Sequence, residues 1–520
     1  ARPAQRATPA PARVDCDALD LFTTAALQRR AFDASEGVAP HFARYLLRQR
    51  SGKDGAVPER VPSTLHAPLQ RFAVQSLQQH LRELRGRNVE DGAVLVLDNA
   101  TGAVLAWVGS SGQLSQASEV DGVLALRQPG STLKPFLYAQ AIAERRLTAA
   151  SLVEDSPAQI TTAAGLYIPQ NYDRQFKGWV SARTALGASL NVPAVRTLVM
   201  VSPDAFQKQL ARLGMPLKES GDFYGYSLAL GSAETTLLDL TNSYRTLANG
   251  GVWSPLRWQA TPVSRLAPAE MPRRVMPADV AYLVSDILAD NTARSLTFGL
   301  DSVLATRGFA AVKTGTSKDM RDNWCVGYTR RYTVGVWVGN ASGSPMRNVS
   351  GVSGAAPIWA GLVRELHRTQ PSVVPMPPAS VVRQPITFDA SVPTGGASGA
   401  DVVDAPRQEV FLAGTQQSVW TLGQGSGRQG AERAIQSPAP GAIFAIDPDM
   451  PPQVQRIALN TAQTGVQWWL NNKRLGPATL RHWQPWPGRH VLSLRNKQGQ
   501  VIDEVRFEVR GAGVKAGAKR

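Results

Sequence analysis

Cysteine is nearly missing from this chain: Cys16 and Cys325 are the only two in 520 residues, alongside 6 histidines. Neither cysteine stands with another cysteine or a histidine at metal-ligand spacing, which argues against a structural zinc site. The count leaves a Cys16–Cys325 bridge open in an oxidising compartment, but the spacing gives it no support. Cys325, within Trp324-Cys-Val-Gly-Tyr328, reads most simply as a small buried apolar residue. The histidines are dispersed and none adjoins the motifs described below, so a Ser-His-Asp triad has no local signal. No apolar run reaches the roughly 18 residues that a spanning helix needs. The first residues show no basic segment followed by an apolar core, hence no signal peptide. As it stands the chain is expected to be soluble, and it contains no internal repeat.

Three short strings supply the chemistry: Ser131-Thr-Leu-Lys134, Ser189-Leu-Asn191 and Lys313-Thr-Gly315. A serine hydroxyl is a poor nucleophile until a base lies within hydrogen-bond reach. Positions i and i+3 share one face of a helix, which would set the Lys134 amine beside the Ser131 hydroxyl. Gln128-Pro-Gly130 reads as a turn, and Leu133, Phe136, Leu137 and Ala141 follow at helical spacing. Pro135 is tolerable because first-turn amides have no intrahelical partner. Ser131 is therefore expected at or next to a helix N-terminus, where amide groups and the dipole favour a developing oxyanion. Lysine acts as a base only when neutral, so its pKa must be lowered by burial or by a second cation such as Lys313. Ser189 is a candidate proton relay. The Asn191 amide is a candidate for orienting Lys134 and holding substrate backbone. Lys313, Thr314 and Thr316 offer an ammonium and two hydroxyls to a carboxylate, and Gly315 lets another backbone approach closely. Each string alone is common by chance; their order and context carry the reading.

The strings sit in longer matching runs: Arg127-Gln-Pro-Gly-Ser-Thr-Leu-Lys-Pro-Phe136, Asn171-Tyr-Asp173, Ala188-Ser-Leu-Asn-Val-Pro-Ala194, Leu228-Ala-Leu-Gly-Ser232, Lys313-Thr-Gly-Thr-Ser317 and Asp322-Asn-Trp324. Together these resemble the transpeptidase domain of class A penicillin-binding proteins, most closely the 1C type, over about Val61 to Gln370. Leu190 stands where the related S-D-N pattern has aspartate. The resemblance implies an α/β (α+β) fold of the serine β-lactamase/D,D-peptidase kind, with an antiparallel sheet flanked by helices. It implies a peptidoglycan D,D-transpeptidase that forms a serine acyl-enzyme and is acylated by β-lactams. Ser131, Lys134 and Ser189 would be catalytic; Asn191, Lys313, Thr314, Gly315 and Thr316 would bind substrate; the Ser131 and Thr316 amides would hold the oxyanion. No cofactor and no metal is implied. The alternatives are a D,D-carboxypeptidase, a β-lactamase, for which no deacylating glutamate is identifiable, and a weakly catalytic penicillin-binding sensor or scaffold.

The net charge of +16 and pI of about 10.2 call for an anionic neighbour or simply a soluble basic surface. The basic residues are scattered and no nucleic-acid-binding motif occurs, so no nucleic acid is expected and a cell wall or membrane surface fits better. The resemblance implies stem peptides and β-lactams as ligands, and a periplasmic protein partner for the C-terminal module. It also implies a place on the periplasmic face of the bacterial inner membrane, with the anchor and glycosyltransferase domain ahead of Ala1 missing.

Along the chain, residues 1–60 read as a linker and support segment with a helical stretch at Phe42–Arg50, and 61–370 as the transpeptidase domain. A helix is expected from Thr64 to about Arg85, and a hairpin from Ala93–Asp98 and Ala103–Gly109. Helices follow from Ser131, around Ala182–Leu190 and over Thr235–Ala248, and strands at Phe309–Lys313, Trp324–Thr329 and Tyr332–Val338. Strands first, helices between and strands last predict one antiparallel sheet in which the two sequence ends meet. A final helix, Ala356–Arg368, is expected to close against the hairpin. Pro-rich 371–435 reads as a linker, 436–511 as a small β-sandwich, and 512–520 as a frayed basic tail. Trp468, Trp469, Trp483 and Trp486 are expected mainly to fill that sandwich rather than to stack on sugars or seat a protein partner.

Overall fold

The computed structural model describes residues 19–20, 23–24, 37–50, 60–157, 160–162, 165–167, 169–173, 175–259, 271–389, 404–421, 434–438, 443–445, 456–461, 463, 465–477, 479, 482–496 and 498–510. Cys16 and the basic tail lie outside them; Cys325 is buried with a free thiol.

Five strands form the central sheet: β1 (Asp91–Asp98), β2 (Val104–Val108), β3 (Ala311–Thr316), β4 (Asp322–Tyr328) and β5 (Tyr332–Gly339). Their order is β2-β1-β5-β4-β3, antiparallel throughout. The two ends of the sequence meet where Asp91 faces Gly339 and Asp98 faces Tyr332. Side chains alternate across a strand, and both sets in β1 are apolar. Ala93, Leu95 and Leu97 enter one core, Val94 and Val96 the other, so both faces of the sheet must be covered.

Helices cover both. Of the helices α1 (Pro40–Arg50), α2 (Ala67–Glu83), α3 (Lys134–Ala143), α4 (Ala182–Gly187), α5 (Asn191–Val201), α6 (Leu237–Ala248), α7 (Ala278–Ala289), α8 (Asn291–Phe298) and α9 (Ala356–Leu366), α1, α2, α6, α7 and α9 pack on the strands of the sheet, and α3, α4, α5 and α8 pack on α7 or on one another. In α3 the residues from Lys134 to Ala139, with Ala141 and Ile142, are all buried. A helix apolar nearly all round belongs inside the domain rather than on its surface. α9 departs from expectation. It packs on β4, β5 and α2, while α2 covers the hairpin of β1 and β2, because the hairpin face is already occupied when the chain leaves β5.

Two boundaries matter for the site. The expected strand ending at Lys313 instead continues to Thr316, because pairing with β4 extends to Thr316 opposite Asn323. The expected helix from Ser131 begins at Lys134, after a 3-10 turn over Gly130–Leu133. Pro135 sits in the first turn of that helix, where its missing N–H leaves no bond unmade.

The segment 371–435, expected as a linker, carries a three-stranded sheet: β6 (Val381–Asp389), β7 (Arg407–Leu412) and β8 (Val419–Thr421). β7 pairs antiparallel and β8 parallel with β6. Val410 enters the same core as Phe136 and Leu137. In the C-terminal module, β9 (Ile443–Ala445), β10 (Gln467–Leu470), β11 (Lys473–Pro477), β12 (Gly488–Arg495) and β13 (Val501–Arg510) form a sheet ordered β9-β13-β12-β10-β11, beside short two-stranded ladders. Trp468 and Trp483 fill its core, Trp469 lies under the Arg495 guanidinium, and Trp486 is half exposed.

Candidate active site

The Ser131 turn is held from three sides. Tyr244 Oη, on α6, donates to the Thr132 carbonyl at 2.7 Å, and Trp324 Nε1, on β4, donates to the Gln128 carbonyl at 2.8 Å. Thr132 Oγ1 closes the turn onto the Pro129 carbonyl at 2.8 Å. Edge strand β3 lies directly against it: a Cβ added at Gly315 would stand 2.4 Å from Pro129 O and 2.8 Å from Thr132 Cγ2. Gly315→Ala is accordingly expected to push β3 off the turn and to slow the penicillin acylation that the resemblance implies by about 10²-fold in a protein that still folds. A labelling time course beside a melting curve checks it; a wild-type labelling rate would show that the close approach is unimportant.

Lys134, at the start of α3, is fully buried. Its Nζ donates to the Ser189 carbonyl at 2.7 Å, the Leu190 carbonyl at 3.0 Å and Asn191 Oδ1 at 2.7 Å. These three contacts use all the protons of an ammonium, and Ser131 Oγ, half-buried one turn earlier, shares no hydrogen bond with Nζ here. Lys313 Nζ, on β3, donates to Ser189 Oγ at 2.7 Å and to the Thr314 carbonyl at 3.0 Å. Ser189 therefore bridges the two lysines, one through its carbonyl and the other through its hydroxyl. Its φ of 62° lies in the left-handed region, which costs a non-glycine residue on the order of 1 kcal/mol. The strain falls at a residue held by both ammonium groups, as is common in functional sites.

Asn191 is locked from both ends. Its Nδ2 donates to the Gln170 carbonyl at 2.7 Å and its backbone N–H to Asn171 Oδ1 at 2.8 Å. Asn171 Nδ2 in turn donates to Asp155 Oδ2 at 2.6 Å. Thr316 Oγ1 accepts from the Gly351 N–H at 3.0 Å, which leaves its own proton available. Thr314 is buried on β3.

Electrostatics follow from burial. Desolvation, then the nearby Lys313 cation, pushes the Lys134 pKa well below the ordinary lysine value, with Asp155 opposing. Lys313 is lowered to about 7, first by burial and then by Arg294. Arg294 itself is buried, with Nη2 on the Leu288 carbonyl at 2.6 Å and Nη1 on the Leu304 carbonyl at 3.3 Å. Sequence reasoning missed Arg294 and Tyr244, which stand in none of the quoted runs. It quoted Asn171 without a role, and Asp155 carried no signal beyond being a carboxylate before that run.

Thus Lys134, Ser189, Asn191 and Lys313 converge behind the Ser131 turn, with Gly315 against that turn. Residues 92–358 match the penicillin binding protein transpeptidase domain family, and residues 423–507 the Penicillin-Binding Protein C-terminus Family. The chain belongs to the penicillin-binding protein transpeptidase family. It is 35% identical over 324 residues to penicillin-binding protein 1C of Escherichia coli (strain K12), covering 62% of this chain and 39% of that protein. To penicillin-binding protein 1A of Neisseria meningitidis it is 32% identical over 294 residues, covering 52% and 35%. The chain therefore spans well under half the length of these relatives. In fold it is similar to penicillin-binding protein 1A from Haemophilus influenzae, with a TM-score of 0.60 at 19% identity over 74% of this chain and 77% of the other. It is also similar to PonA1 from Mycobacterium tuberculosis in complex with penicillin V, with a TM-score of 0.52 at 23% identity over 64% and 94%.

Proposed function

We propose that this chain is a serine acyltransferase that crosslinks peptidoglycan as a D,D-transpeptidase and is acylated by β-lactams. The observation that carries the reading is the meeting of Lys134 and Lys313 on Ser189, behind the Ser131 turn, in a chain of this family. A neutral Lys134 keeps two N–H donors and gains a lone pair, so one of its three present acceptors is released and the lone pair turns to the Ser131 hydroxyl. Ser131 Oγ gives its proton to Lys134 Nζ and attacks the carbonyl between the two terminal D-alanines of a stem peptide. The Ser131 and Thr316 amides hold the oxyanion; one such donor is worth about 3–4 kcal/mol in the transition state. Ser189 relays the proton to the leaving amine as the C–N bond breaks and the last D-alanine departs. An amine of a second stem peptide then attacks the ester carbonyl and gives its proton to Lys134 Nζ, which returns it to Ser131 Oγ as the C–O bond breaks.

In this reading Asn191 orients Lys134. Lys313, Thr314 and Thr316 receive the carboxylate of the stem peptide or of a β-lactam, and Gly315 keeps β3 against the turn. The working unit spans about 61–370, with 1–60 as support, 371–435 as connection, 436–511 as a module for a periplasmic protein partner and 512–520 as a tail. The place of action is the periplasmic face of the inner membrane.

The test is product analysis with a stem pentapeptide and a D-amino acid acceptor. A transpeptidase releases one D-alanine and joins the acceptor to the shortened peptide. Trimmed peptide alone indicates a carboxypeptidase. No product, despite a penicillin adduct that lasts for hours, indicates a sensor or scaffold, and an adduct lost within seconds a β-lactamase.

A further inference from the structure

The three-stranded sheet β6–β8 falls between the two matched regions, which end at 358 and resume at 423, yet two of its carboxylates are buried in the transpeptidase domain. Glu409, on β7, is fully buried against Arg183 of α4: Arg183 Nε lies 3.0 Å from each Glu409 carboxylate oxygen, and Nη2 lies 2.6 Å from Oε1. The same guanidinium reaches Asp286 of α7 at 2.6 Å and Asp290 at 3.1 Å. Burial works against the Arg183 charge, and the Glu409 and Asp286 carboxylates more than offset it. Asp404, just before β7, accepts from the Ser181 N–H at 2.6 Å, Ser181 Oγ at 2.9 Å and Thr184 Oγ1 at 2.5 Å, and so grips the start of α4. Arg407 ties Asp404 to Glu409 at 2.8 and 2.9 Å.

What α4 carries gives this clamp its meaning. α4 ends at Gly187, two residues before Ser189, and the Ser189 and Leu190 carbonyls are those that hold Lys134. The second branch runs through Asp290, whose Oδ1 accepts from Thr292 and Ala293 N–H at the start of α8. α8 bears Arg294, the cation acting on Lys313. α4 and α8 touch closely: a Cβ at Gly187 would meet Ala293 backbone at 2.8 Å, and Thr297 Oγ1 donates to the Ala188 carbonyl at 2.7 Å.

We infer that the β6–β8 sheet is a built-in brace for the acyl-transfer site, with Glu409 and Asp404 as positioning residues that act through α4 and α8 on the groups around Lys134 and Lys313. The inference rests on the acyl-transfer reading above. Both carboxylate side chains are buried; each fixes where the backbone carbonyls stand that aim the Lys134 amine. A shift of about 1 Å in such a frame slows chemistry far more than it weakens binding.

The experiment uses the full chain as wild type, Glu409→Gln and Asp404→Asn, with a fluorescent penicillin at varied concentration. This separates the dissociation constant of the initial complex from the first-order acylation rate constant, and a melting curve accompanies each protein. Both variants are expected to melt cooperatively above the assay temperature. Glu409→Gln should lower the acylation rate constant about tenfold with the initial complex within about twofold of wild type, and Asp404→Asn should do so to a smaller extent. If Glu409→Gln does not fold, Asp404→Asn decides. A purely structural role would lower the melting temperature and the labelled fraction while the folded molecules acylate at the wild-type rate constant; that result overturns the inference alone. A wild-type chain that takes no label overturns the acyl-transfer reading and this inference with it.

Discussion

Replacing Lys134 by alanine is expected to slow penicillin acylation of Ser131 by about 10³-fold, within the range that a positioned general base contributes. Two effects act in one direction. The hydroxyl loses the amine to which its proton would pass, and the Ser189 and Leu190 carbonyls and Asn191 Oδ1 lose their shared donor. Loss of the donor alone loosens the loop that carries the strained Ser189. Lys134→Arg separates the effects, because a guanidinium keeps charge and donors but stays protonated at any working pH. If Lys134 is the base, both variants acylate slowly; if it only holds the loop, the arginine variant recovers. Intact-mass measurement of the adduct against time provides the rates, with Ser131→Ala as the zero. Acylation of Lys134→Ala within a few-fold of wild type would remove Lys134 from the mechanism.

The pH profile of acylation should be bell-shaped, and replacing Arg294 should move one side of it. The working pair is a neutral Lys134 and a charged Lys313. Burial and the Lys313 cation hold Lys134 low, so acidification protonates the base and the rate falls. Burial and Arg294 bring Lys313 to about 7, so rising pH discharges the group proposed to receive the carboxylate, and the rate falls again, by up to about tenfold per pH unit. Arg294→Gln retains a donor for the Leu288 and Leu304 carbonyls and removes the charge. Without that cation Lys313 keeps its proton to higher pH, and the alkaline side should move upward. Second-order acylation rates across pH, measured where both proteins are folded, check the direction. An alkaline side that stays put or moves down would mean that Arg294 does not govern Lys313.

The architecture was legible where pattern has a direct geometric consequence. Apolar β-type runs at 93–98 and 332–338 predicted strands from the two sequence ends that meet in one sheet, and they pair as β1 and β5. The same logic misplaced α9, because helical spacing says which residues are buried and not which surface buries them. It stopped β3 at Lys313, because Thr314-Gly-Thr316 reads as a turn until the pairing with β4 is known. It read 371–435 as a linker from its prolines and glycines, whereas Glu409 and Val410 show β7 built into the domain.

The order of residues alone determined the inventory of the site: one serine with a lysine three positions on, a second serine two residues before an asparagine, and a lysine strand broken by glycine. These are local facts, set by spacing and by what a missing side chain allows. Which of those groups carries a proton was decided only by the tertiary structure. A lysine loses its charge when it is taken out of water and set near other cations, and Lys134, Lys313 and Arg294 come together only after strands and helices far apart in the chain have packed. The carboxylates of Glu409 and Asp404 reach α4 from more than 200 positions away, a separation at which side-chain type carries no information about who meets whom.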